Sequence, residues 1–138
     1  MKIDQTRKQI IDGTELLVLK VGSRLLAAGN SDARRQRIEQ LIGQVAKLRE
    51  RFEVVLVSSG AIGAGMAMTG AEKRPADVAR LQGLAAIGQS RLMSLYENAC
   101  QQHGFHCGQL LLSRDDVKER KRHLNVRNCL RALLTDNV

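Results

Sequence analysis

Lys20 and the run Ser59-Gly60-Ala61 are the residues of this sequence best suited to chemistry, and both suit the handling of an anion. Lys20 stands near the end of the apolar run Leu16 to Val21 and is followed by Gly22 and Ser23. A lysine beside the exposed amides of a glycine-containing turn can neutralise charge on a phosphoryl group. The competing use is a lysine snorkelling off a strand edge. A run this apolar reads as a central strand, so the functional use is favoured. The second apolar run, Val54 to Val57, leads into Ser58, Ser59, Gly60 and Ala61. If a helix starts at Gly60, its unpaired amides and dipole attract a carboxylate or phosphate, and a serine hydroxyl adds one orienting donor. Gly63, Ala64 and Gly65 read differently, as small residues that let this helix pack closely.

Phosphoryl transfer needs positioning and charge neutralisation more than a covalent nucleophile, and a lysine on one strand end facing a Ser-Gly helix start on the next meets that need. Other chemistries lack their residues. No Gly-Lys dipeptide is present, so there is no P-loop. No G-x-G-x-x-G follows the first strand, and no G-x-S-x-G surrounds Ser58 or Ser59. His103, His106 and His123 pair with no Ser or Cys in sequence. Cys100, Cys107 and Cys129 are odd in number and lack metal-ligand spacing, so they read as reduced thiols, and no metal site is expected from them.

The elements that would position these residues follow from hydrophobic patterning. Leu16 to Val21, Val54 to Val57 and Leu110 to Leu112 are continuous apolar runs, as expected for parallel strands buried on both faces. Between the first two, Ser31 or Asp32 can cap a helix with Ile38, Leu41, Ile42, Val45 and Leu48 on one stripe. Arg34, Arg35, Arg37, Lys47 and Arg49 lie mostly opposite. Asp77 can cap a longer helix through Leu84, Gly88, Leu92, Leu95, Tyr96 and Ala99, ended at His103-Gly104. A last helix covers roughly 121 to 135, with Leu124, Val126, Leu130, Leu133 and Leu134 available for burial. Strand, helix, strand, two helices, strand, helix predicts an α/β fold, a three-layer sandwich with a mainly parallel sheet and helices on both faces. Residues 1–14 show no periodic pattern and read as a flexible tail. Residues 15–138 read as the first part of a larger domain, since "LRALLTDNV" runs a helix into a turn where a further strand would start.

Composition narrows the partners. A net charge of +8 and a pI near 10.0 favour anions. The basic runs Lys118 to Arg122 and Arg34 to Arg37 fall on expected helices, where solvated faces are the leading reading. Nucleic-acid binding through Arg34, Arg35, Lys118, Arg120, Lys121 and Arg122 is the minor alternative. Two Phe, one Tyr and no Trp leave no aromatic platform for stacking bases. There is no apolar leader and no apolar run near 18 residues, so neither secretion nor a membrane span is expected, and the protein reads as cytoplasmic.

The stretches "VLKVGSRLL", "VVLVSSGAIGAG", "LAAIGQSRLMSLYE", "QLLLSRDD" and "HLNVRNCLRALL" resemble the amino acid kinase family, in its order and spacing. Within it, "SSGAIGAG" and "AAIGQSRLM" resemble the branch whose phosphoryl acceptor is L-glutamate. The resemblance implies transfer of the ATP γ-phosphate to the glutamate side-chain carboxylate, in proline biosynthesis, with Mg2+ bound alongside the nucleotide. It implies that Lys20 is catalytic and contacts the ATP phosphates with Gly22 and Ser23. It implies that Ser59, Gly60 and Ala61 bind glutamate, and that the protein is a homo-oligomer. The family's remaining glutamate contacts, its nucleotide pocket and, in many members, a PUA domain correspond to nothing in this sequence. The 138-residue chain alone is therefore expected to have little or no kinase activity. A different carboxylate acceptor within the same family is the near alternative.

Overall fold

A computed structural model describes residues 5–22 and 31–138. In chain order its elements are α1 (Gln5–Asp12), β1 (Leu16–Val21), α2 (Ser31–Arg49), β2 (Glu53–Ser58), α3 (Ala61–Thr69), α4 (Val78–Gln101), α5 (Arg114–Lys118) and α6 (Arg120–Thr135). The α/β class and the parallel sheet agree with the sequence reading. β1 and β2 pair in parallel with Leu16 opposite Glu53, Lys20 opposite Val57 and Val21 opposite Ser58. Because side chains alternate along a strand, Leu19, Val21, Val54, Leu56 and Ser58 share one face.

That face is where the core sits. α2 contributes Ile38, Ile42 and Val45 from one helical stripe, and α4 contributes Leu92, Leu95, Tyr96, Ala99 and Cys100. Val21 closes the cluster, with Leu19, Val54 and Leu56 packed against it. On the opposite face Leu16, Val18, Lys20 and Val57 are exposed, so among the described residues helices cover one face of this sheet.

α4 begins where the sequence placed its cap: the Asp77 carboxylate accepts from the Arg80 amide at 2.8 Å, an arrangement worth about 1 kcal/mol. It ends as expected, with Gly104 at φ 78 reversing the chain. The return is fastened by Glu97. One carboxylate oxygen bonds His106 Nδ1 at 2.6 Å and accepts from the Gln101 amide group at 2.9 Å, while the other accepts from the Cys107 amide at 3.0 Å. These bonds, led by that of the Cys107 amide, lower the Glu97 pKa from 4.5 to about 2. They also set Cys107 against Cys100. Interaction between the two thiols pushes the Cys107 pKa up and lowers that of Cys100. At the far end of α2, Arg49 stacks 3.9 Å over the Phe105 ring and donates to Asn137 O and Oδ1 at 2.6 and 2.7 Å. One side chain thus joins three separate parts of the chain.

Several elements differ from expectation. The third run, Leu110 to Leu112, is irregular and pairs with no strand among the described residues. Ladder partners lie about 4.7–4.9 Å apart, whereas the 110–112 segment and β2 both line a cavity of about 480 Å³. Leu111 consequently remains 75% exposed. The first residues, read as a flexible tail, include helix α1, which buries none of its side chains. It is held instead by Arg51, which donates to Ile11 O and Asp12 Oδ1. The polar stretch after Leu112 forms α5, started by a reciprocal cap in which Ser113 and Asp116 each satisfy the other's backbone amide. α6 leaves Leu124, Val126, Leu130, Leu133 and Leu134 half-buried rather than buried.

Candidate active site

The two parallel strands deliver their carboxyl ends side by side, the place where open α/β sheets bind ligands. β1 brings Lys20 there, one residue before its end, with Gly22 next in the turn. Lys20 is exposed and forms no ion pair among the described residues, so its charge is available to a ligand. Ser23, expected beside it, lies outside the described residues. β2 brings Ser58, after which Ser59 and Gly60 turn the chain into α3.

That turn depends on Gly60, whose φ of 127° and ψ of 1° suit glycine alone. As the N-cap of α3 it offers no side-chain oxygen, and no side-chain hydrogen bond caps the helix. The first-turn amides are therefore left for solvent or an anion. Ser59 is exposed, and its hydroxyl donates to the Val21 carbonyl at 3.3 Å, across to the end of β1. This bond ties Ser59-Gly60-Ala61 to the Lys20–Gly22 end. It is long for an O–H···O contact and readily exchanged for a ligand.

The close backbone approach is now locatable. A Cβ on Gly88 of α4 would stand 1.8 Å from the Ala61 carbonyl oxygen and 2.3 Å from the Gly65 nitrogen, and one on Gly65 would stand 2.0 Å from the Leu84 carbonyl oxygen. Gly65 and Gly88 thus let α3 lie directly on α4, as its small residues suggested. The contact falls on Ala61 itself, so the first turn of α3 is placed by α4.

Two other side chains shape this end, and sequence reasoning missed both. The sequence predicts a solvated face for Arg34, yet it is only 5% exposed and donates from Nη2 to the Gly63 carbonyl at 3.4 Å. The signal for it was its register. Arg34 lies four residues before Ile38, on the buried stripe of α2. Its burial removes it from any nucleic-acid patch. Arg35 pairs with Glu39, and Arg122 pairs with Asp116 and Glu119, which further neutralises that alternative. The second is Tyr96, legible only as a core residue, whose hydroxyl shares a 2.7 Å hydrogen bond with Ser58 Oγ. Burial raises the Tyr96 pKa, partly opposed by the Ser58 bond, so the hydroxyl stays protonated.

Among the described residues, no group of three His, Cys, Asp or Glu side chains stands together as a metal site. None of their helices is long and apolar enough to cross a membrane. The arrangement can neutralise a polyanion with Lys20 and receive a second anionic group at the start of α3.

The amino acid kinase family profile matches residues 15–138. Over 128 residues the chain is 41% identical to a glutamate 5-kinase of Rhodopirellula baltica, covering 92% of this chain and 33% of that protein. It is 43% identical over 126 residues to glutamate 5-kinases of Escherichia coli O1:K1 / APEC and Enterobacter sp. (strain 638), covering 91% of this chain and 34% of theirs. The chain spans about a third of the length of the curated relatives it matches.

Proposed function

The chain belongs to the amino acid kinase family, and from that membership we propose that it forms the phosphate-facing and acceptor-facing part of a glutamate 5-kinase. In this reading a side-chain carboxylate oxygen of L-glutamate attacks the γ-phosphorus of ATP. The bond from that phosphorus to the β–γ bridging oxygen breaks, and ADP departs with the electron pair, leaving γ-glutamyl phosphate. Lys20 neutralises the charge that builds on the transferring phosphoryl group, with Gly22 and Ser23 beside the phosphates. Ser59, Gly60 and Ala61 hold the acceptor. Mg2+ bound with the nucleotide would lower the charge on its phosphates. The reading places the protein in the cytoplasm, in proline biosynthesis, as a homo-oligomer.

The observation that carries the reading is the Ser59–Val21 hydrogen bond. It supports the reading because it joins the uncapped start of α3 to the end of β1, the strand that carries Lys20. A second support is the similarity to glutamate 5-kinases through this whole region.

The test joins all 138 residues to the remaining two thirds or so of the Escherichia coli relative, replacing its matching part. The expected result is ADP release that depends on L-glutamate. Lys20→Ala should lower kcat by about 10²–10³-fold, the range for losing one charge-stabilising group. A folded chimera that releases ADP only with a different carboxylate, or that is indifferent to Lys20→Ala, would overturn the reading.

A further inference from the structure

Tyr96 is the only tyrosine of the chain, and it lies in the core with 4% of its surface exposed. A phenylalanine would fill the same volume without burying a hydroxyl, and burying a hydroxyl is favourable only where it finds a partner. The partner here is Ser58 Oγ at 2.7 Å. Either hydroxyl can be the donor in this bond, and Ser58 Oγ also lies 3.4 Å from the Ser59 carbonyl oxygen. Ser58 is the last residue of β2, paired with Val21, and Ser59 bonds the Val21 carbonyl. The chain thus leaves the sheet between two fastenings, one into the core through Tyr96 and one across to β1 through Ser59. Immediately beyond them Gly60 takes its unusual φ and α3 begins.

We propose that Tyr96 is a positioning residue for the acceptor turn: its buried hydroxyl holds Ser58, and through Ser58 the backbone of Ser59, Gly60 and Ala61, in the conformation that receives the acceptor. The inference rests on the reading of that turn as the glutamate-contacting part of a glutamate 5-kinase. Tyr96 touches no substrate; it acts through Ser58. A freed Ser58 lets the turn sample other directions, and the acceptor must then restore the competent one on binding. The loss falls on the acceptor and spares ATP, whose phosphates face Lys20 on the other strand.

The chimera described above, with all 138 residues of this chain, provides the test. Tyr96→Phe should raise the KM for L-glutamate about three- to tenfold, the equivalent of one lost hydrogen bond. The KM for ATP and kcat should stay within about twofold. Ser58→Ala should give the same split, and Tyr96→Phe with Ser58→Ala should be no worse than either alone, because both remove one interaction. Should Tyr96→Phe fail to fold, as judged by its thermal melt, Ser58→Ala carries the comparison. An unchanged glutamate KM in a chimera that turns over glutamate overturns the positioning role and leaves the functional reading intact. A matched change in both KM values and kcat also overturns it, since that is loss of structure in general. A folded, unsubstituted chimera that cannot use glutamate overturns both.

Discussion

Gly88→Ala and Gly83→Ala are the same chemical change on the same helix, and the structure assigns them opposite signs. In α4 each replaces a glycine with the better helix former, a gain of about 0.5–1 kcal/mol where nothing opposes it. Gly83 has no atom within 4 Å of the new methyl, so it should realise that gain. At Gly88 the methyl carbon would stand 1.8 Å from the Ala61 oxygen and 2.3 Å from the Gly65 nitrogen, both backbone atoms on α3. Reaching ordinary contact at 3.4 Å requires the two helices to part by about 1.6 Å. No rotamer change can relieve a clash between backbones. The cost of overpacking is about 1–3 kcal/mol, and backbone contact puts this site at the upper end of that range. Subtracting the propensity gain leaves a net loss of about 2 kcal/mol. Urea unfolding of the 138-residue chain, followed by circular dichroism, measures both variants directly. Gly88→Ala should lower the midpoint and Gly83→Ala should leave it unchanged or raise it. The chimera adds a functional reading, since the displaced backbone includes Ala61 and a shift of about 1 Å near a reacting group can cost about 10²-fold. Equal midpoints for Gly88→Ala and the unsubstituted chain would refute the close seating of α3 on α4, and with it the account of how the site's first helical turn is placed.

Other predictions concern the return after α4. Glu97 has its pKa lowered to about 2 from 4.5, so its bonds contribute stability that is complete above pH 4.5 and lost as pH falls toward 2. Glu97→Gln should be less stable than the unsubstituted chain at pH 7, with the gap closing between pH 4.5 and 2; a gap independent of pH in denaturant titrations would contradict this. The thiols should react with a disulfide reagent in the order of their exposure. Cys129 is exposed, Cys107 is half-buried and Cys100 is buried, so Cys129→Ser should remove the fast phase; persistence of that phase would place another thiol at the surface.

Much of this protein is legible from its residues in order. The apolar runs of β1 and β2, the Ile38–Ile42–Val45 stripe of α2 and the Asp77 cap of α4 are local patterns, and local patterns survive folding because each is decided by its own few neighbours. That β1 and β2 end side by side was legible as well, because parallel strands bring their carboxyl ends together. What could not be read depends on contacts between residues far apart in the chain. Nothing near Tyr96 says that its hydroxyl meets Ser58, and nothing near Gly88 says that Ala61 lies against it. Arg34 carries a charge that sequence reasoning assigns to water, yet its place on the buried stripe turns it onto the Gly63 carbonyl. Leu110 to Leu112 have the composition of a strand, but a strand exists only where a partner offers its hydrogen bonds, and here a cavity stands where the ladder would form. Sequence alone determined β1, β2, α2 and α4, whose patterns are local. Only the tertiary structure decided how the turn between β2 and α3 is held, since its fastenings come from β1 and α4, and their reach across the chain is a property of packing.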